Sequence, residues 1–317
     1  MEQLYPVIQS YIPDEYRAFE KKHVVMMKLE EEIDDIEDYI NLEGLRVEFE
    51  MSQNFFFSLL SLRLKQFIST STLKYDLSLL NTSRLETLIL SEYLGPTNNL
   101  KTPMLKCLFM GEYNGDISFL EKSEIEELHL DQYNREIKFK MPFLKFLTLE
   151  EYKNSIDFLL GSPLEELYLP NFDGDASVLK GKKIRELNIE SYEKSIDFLE
   201  GMPIRKLSLN SYQGDISVFR TLYLKELIIY SCKDLSALRN KKLKKIDIKR
   251  FKGDLEPLRG MPLNTVRIGG FNGDISPLYK SPIKRLYLYD YLREVSFPKK
   301  LETLIVSYKN KFVKSFY

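Results

Sequence analysis

The stretch LEELYLPNFDGDASVLKGKK (164–183) runs directly into IRELNIESYEKSIDFLEGMP (184–203) and then into IRKLSLNSYQGDISVFRTLY (204–223). Laid over one another, these segments share an aliphatic opening, two variable positions, then aliphatic, variable, aliphatic. The pattern extends in both directions. Its openings are Leu85, Leu105, Ile125, Leu144, Leu164 and Ile184, then Ile204, Leu224, Leu243, Leu263, Ile283 and Leu301. The step is 20 residues, with two of 19 and a last one of 18. Looser copies open at Leu42 (LEGLRVEF) and Leu64 (LKQFIS). A fixed period of this length marks a repeat architecture, in which each unit is one supersecondary element.

The period-2 alternation inside LxxLxL favours a short strand with one apolar face. One such strand cannot bury that face alone, whereas copies stacked side by side form a parallel sheet over a continuous core. The chain then has about a dozen residues in which to return, room for a 3₁₀ or single helical turn. The returning segment carries its own apolar signature at Ile117, Ile156, Ile196, Ile216 and Ile275, each followed three places later by a second apolar residue. Asp116 and Ser118, Ser155 and Asp157, and Asp215 and Ser217 flank these isoleucines and can cap the turn. Gly-Met-Pro (201–203, 260–262) and Ser-Pro (162–163, 281–282) precede several strands, where a missing N–H is tolerated.

These residues carry a family resemblance. LxxLxL together with DISPL (274–278) and GMPL (260–263) resembles leucine-rich-repeat proteins of the short, internalin-like kind, over residues 85–306 and more loosely over 42–84. The resemblance implies an α/β-class curved solenoid, with a parallel sheet on the concave face and short 3₁₀ or helical turns on the convex one. It also implies protein binding on the concave face. The chain departs from the family where an Asn ladder is usual: three places after the last strand aliphatic it carries an aromatic. These are Tyr93, Tyr113, Tyr133, Tyr152 and Phe172, then Tyr192, Tyr212, Phe251, Phe271 and Tyr291, with Cys232 the exception. Two readings follow: a buried stacked spine, with main-chain pairing or water satisfying the turns, or an exposed row of rings for a ligand.

The ends of such an array need covering. Residues 1–41 lack the repeat and include the acidic, helix-like run EEEIDDIEDYI (30–40), which suggests a small helical cap. Residues 42–307 are the repeat array, and 308–317 (YKNKFVKSFY) a basic, aromatic C-terminal cap or tail. VIQSYIPDEYRAF (7–19) faintly resembles the middle of an F-box, which implies binding of a Skp-type adaptor through residues 1–41.

Forty-six basic and 47 acidic residues leave a net charge of −1, which argues against a general nucleic-acid binder. The two cysteines form no framework, and no signal peptide or membrane-length apolar run is visible, so a cytoplasmic location is expected. No phosphate-loop, HExxH or GxSxG motif occurs. The two histidines and two cysteines are too scattered for a zinc site. Neighbouring repeats bring Cys107 towards His129; a Cys/His dyad is conceivable there, against the simpler reading of a strand-face cysteine beside an exposed histidine. The expectation is a chain with no enzymatic activity, cofactor or metal.

The working surface is sought instead at the outward strand positions. There the sequence offers Glu127, Asp131, Glu150, Glu166, Glu186 and Glu190, then Lys206, Lys245, Lys249, Arg267 and Arg285, with Tyr168, Tyr230, Tyr287 and Tyr289 among them. An acidic half passes into a basic half, and segregated charge steers a protein partner of opposite dipole. The expected function is an interaction scaffold. The alternatives are a ubiquitin-ligase substrate receptor and a structural part of a larger assembly.

Overall fold

A computed structural model describes residues 26–80, 82–298, 301–308 and 311–315. The chain divides into two compact units, the first holding the described residues up to Tyr152 with Asp157–Pro163, the second Lys153–Ile156 with Leu164 onward.

In the first unit seven parallel strands pair in chain order: β1 (Met26–Leu29), β2 (Gly44–Val47), β3 (Gln66–Leu73), β4 (Thr87–Tyr93), β5 (Cys107–Met110), β6 (Glu127–Leu130) and β7 (Phe146–Leu149). In the second, β8 (Glu166–Tyr168), β9 (Glu186–Asn188), β10 (Lys206–Leu209), β11 (Glu226–Cys232), β12 (Lys245–Phe251), β13 (Thr265–Gly269), β14 (Arg285–Tyr289) and β15 (Thr303–Tyr308) do the same. A last strand, β16 (Lys311–Ser315), turns back antiparallel to β15. The register aligns equivalent repeat positions, as in Leu108 with Leu128 and Leu187 with Leu207. Numbered from the opening aliphatic, positions 1, 4 and 6 are buried in every repeat from Leu85 to Ile283, while 3 and 5 point away from the core.

The returns are 3₁₀ turns, such as Ser118–Lys122, Asp197–Leu199 and Ser276–Lys280. The expected capping is present: Asp116 accepts from the amide and hydroxyl of Ser118 at 2.9 and 2.7 Å, and Asp215 from Ser217 at 2.9 and 2.7 Å. Among the described residues the only α-helix is α1 (Gln53–Ser58), capped by the Ser52 hydroxyl. It lies in the repeat opened by Leu42, which is 22 residues long and so has space for more than a 3₁₀ turn.

The aromatic position resolves in favour of the buried spine. All ten rings are buried, Tyr152 and Phe172 completely, which removes the exposed-row reading. In four consecutive pairs the rings lie 5.9–6.5 Å apart, Phe172 and Tyr192 within 9° of parallel, Phe271 and Tyr291 within 17° and Tyr93 and Tyr113 tilted by 41°. Several tyrosine phenols satisfy turn carbonyls, Tyr291 that of Gly273 one repeat earlier at 3.2 Å and others those of their own turns. Tyr113 donates to the Asp116 carbonyl at 2.9 Å, Tyr192 to Ser195 at 3.2 Å and Tyr212 to Asp215 at 2.8 Å. Each of these three rings therefore folds back over its own turn, and at position 214 a Cβ would lie 2.5 Å from the Tyr212 hydroxyl, which only glycine avoids. Cys232, the position without a ring, heads a turn one residue shorter: Leu235 follows it by three positions, whereas Ile216 follows Tyr212 by four.

The N-terminal expectation needs correction. The run 30–40 holds a single 3₁₀ turn, Ile36–Asp38, in place of a helix, and the sheet has already begun at β1. Of its isoleucines Ile36 is buried but Ile40 is 70% exposed, so no apolar face supports a helix. Helical spacing would also stack Glu30 on Asp34 and Glu31 on Asp35, like charges one turn apart. The F-box-like segment 7–19 lies outside the described residues. No helix among the described residues is long and apolar enough to cross a membrane.

Candidate functional site

In the first unit the outward positions of β5 to β7 gather the one set of groups with catalytic resemblance. Glu127 sits across the register from Cys107, and His129 across from Phe109. His129 bridges the Glu127 carboxylate through Nε2 at 2.8 Å and the Thr148 hydroxyl through Nδ1 at 2.9 Å. The hydrogen bond from His129 holds the Glu127 carboxyl below its ordinary range. Cys107 is half-buried, and burial, with the Glu127 charge beside it, pushes its thiol up to about 12. A thiolate is the reactive species, so this arrangement works against nucleophilic use. The Cys/His pairing resolves into a histidine tied to a carboxylate beside a protonated thiol. Asp131, half-buried at position 7 of the same repeat, is raised by burial, and Glu150 is exposed just beyond β7.

The second unit carries the remaining expected residues. Glu166, Glu186 and Lys206 occupy position 3 of adjacent strands, with Lys206 2.7 Å from Glu186. Tyr168 stands at position 5, and Glu190 at position 7 receives hydrogen bonds from the amides of Asn188 at 3.1 Å and Asn210 at 2.7 Å. Further along, Lys245 and Arg285 hold position 3, Arg267 and Tyr287 position 5, and Tyr230, Lys249 and Tyr289 position 7.

Sequence reasoning missed two carboxylates within the basic half. Glu226 shares position 3 and pairs with Lys245 at 3.6 Å; Asp247 shares position 5 and lies 3.6 Å from Lys249 and 3.7 Å from Arg267. Both occupy positions the repeat numbering had marked as outward, so the signal was available. The basic half is therefore a lattice of cations threaded by acids. The Asp247 side chain is only 5% exposed, and it anchors Arg267 from below while the Tyr287 ring lies 4.6 Å from the guanidinium carbon. Arg250 lies likewise over Tyr230 at 5.4 Å. Two guanidinium groups thus lie over rings on a surface that stays open, Arg250 and Tyr289 being exposed.

No known protein family and no curated protein matches the chain. Solved structures do. A leucine-rich-repeat protein from Leptospira interrogans superposes with a TM-score of 0.67 at 15% identity, over 90% of this chain and 89% of its own. An internalin from Listeria monocytogenes superposes with a TM-score of 0.54 at 18% identity, over 86% and 82%.

Proposed function

We propose, from the premise that this chain has the leucine-rich-repeat fold, that it is a non-catalytic recognition module holding a protein partner against the open face of the second unit's sheet. The observation that carries this reading is the Asp247–Arg267–Tyr287 arrangement. A guanidinium lying between a buried carboxylate 3.7 Å away and a ring 4.6 Å away has less rotational freedom left to lose on binding. Tyrosine and arginine are also the residue types that most often dominate binding energy. Tyr230, Arg250, Tyr289 and Arg285 extend the same chemistry, and Glu166, Glu186 and Glu190 orient the partner from the other side. In this reading residues 1–41 and 308–317 cover the ends of the array.

Affinity capture followed by quantitative binding tests the proposal. The intact chain is compared with Arg267→Ala/Tyr287→Ala and with Glu166→Lys/Glu186→Lys/Glu190→Lys. A captured protein should bind the first variant at least ~10-fold more weakly, as expected for loss of an interface anchor. The second variant should change its salt dependence. Equal binding by all three chains would remove the open face from consideration.

A further inference from the structure

Directly after each opening aliphatic, one residue per repeat forms a column of its own along the start of the strands. Its members are adjacent, because each amide donates to the carbonyl of the same position one repeat earlier: Glu86 to Lys65 at 2.7 Å, Lys106 to Glu86 at 2.9 Å, Glu126 to Lys106 at 2.8 Å. In the first unit the column reads Glu43, Lys65, Glu86, Lys106, Glu126, Lys145. The charges alternate throughout and pair at 2.8, 4.0 and 2.5 Å.

In the second unit the same column keeps this rule only at its ends. Arg185 pairs with Glu165 at 2.9 Å, and Lys284 with Glu302 at 2.8 Å. Between Arg185 and Lys284 stand Arg205, Lys225 and Lys244 on consecutive strands, joined by amide–carbonyl bonds of 2.8 and 2.7 Å, and then the neutral Asn264. All three cations are exposed, and none makes an ion pair among the described residues. Like charges directly across a strand pair are destabilising, and the first unit shows how the same fold avoids them. The neighbouring column, one residue further along each strand, still alternates as Glu186, Lys206, Glu226, Lys245. In these two columns, three consecutive cations without an ion pair among the described residues occur at this one place.

We propose that Arg205, Lys225 and Lys244 form a docking strip for an acidic segment of a protein partner, whose Asp and Glu side chains supply the carboxylates that the column lacks. The strip is two strand intervals long, about 10 Å; Glu165 lies two strands before it, paired with Arg185, and Glu302 three strands after it, paired with Lys284. Glu186 and Glu226 border it on the open-face side. A nucleic acid or an anionic bilayer presents phosphates well beyond that frame and meets those carboxylates; a few clustered side chains of a peptide fit inside it. The strip is separate from the Arg267 and Tyr287 surface and makes a second contact.

The test measures fluorescence anisotropy of a labelled hexaglutamate peptide with the full chain and with Lys225→Glu, which restores alternation as Arg205–Glu–Lys244. The variant should unfold at the same temperature as the parent or higher, while peptide affinity falls about tenfold or more. A loss of binding with undiminished stability cannot be ascribed to misfolding. Lys225→Arg should retain binding, and so should Arg267→Ala, which separates this strip from the open face. Peptide affinity unchanged by Lys225→Glu would overturn the proposal. So would tighter, Lys225-dependent binding of an oligouridylate or of phosphatidylserine vesicles, which would assign the strip to nucleic acid or membrane.

Discussion

Phe172 is fully buried between its own turn and the ring of Tyr192, 6.5 Å away, in a spine to which every repeat from Leu85 to Ile283 but the one with Cys232 gives a ring. Phe172→Ala removes that ring from a site whose neighbours are fixed by register and cannot close over the void. It should cost about 3–5 kcal/mol, read as a lower midpoint in urea with an unchanged slope. Tyr212→Phe keeps the ring and loses only the hydrogen bond to the Asp215 carbonyl. Its penalty should be about 1 kcal/mol by the same measurement. The position of the spine was legible in the sequence, because ten aromatics recur at one place in the period. The job of the hydroxyls was not. A phenol satisfying a carbonyl three residues on is a matter of how the ring folds back, and the alternation of apolar and polar residues does not encode it. Glu226 and Asp247 show the opposite case: the period alone places them on the outward face, among the cations of neighbouring repeats.

At the scale of the element, the 3₁₀ turns depend on ionised aspartates and the strands on protonated phenols and thiols. Hydrogen bonds from Ser118, Ser217 and Ser276 hold Asp116, Asp215 and Asp274 below the ordinary carboxylate range. A depressed value means that the contribution is present above the unfolded value of about 4 and is lost as pH falls through the folded one. Burial pushes Tyr133 and Tyr152 up to about 12, and Cys232 likewise to about 12. For these raised groups the contribution is intact below the unfolded values, about 8.5 for the thiol and 10 for the phenols, and fades as pH climbs towards 12. The urea midpoint should therefore be flat through neutrality, decline modestly below pH 4 because the aspartates are exposed, and fall steeply above pH 10. A midpoint that stays level from pH 9 to 12 would contradict the burial of the spine. The capping pairs were legible from Asp-x-Ser spacing. The 30–40 run was misjudged because its composition suits a helix, whereas burial of Ile36 alone among its isoleucines gives a helix nothing to pack against.

Across the whole molecule, each repeat leans only on its neighbours, so local opening should follow position in the array. Among the described residues β16 is paired only with β15 and β1 only with β2, whereas β5 and β12 are paired on both sides. In native-state hydrogen exchange the amides of β1 and β16 should exchange first and those of β5 and β12 last; uniform protection would indicate one all-or-none unit. The spine supplies an optical label for the same process. The chain has no tryptophan, so its near-ultraviolet signal comes from tyrosine and phenylalanine. The spine of the first unit is tyrosine throughout, at 93, 113, 133 and 152, whereas that of the second interleaves phenylalanine at 172, 251 and 271. The two spines thus differ in their rings, and near-ultraviolet dichroism of chains carrying Tyr113→Phe or Tyr192→Phe would report the melting of one spine at a time.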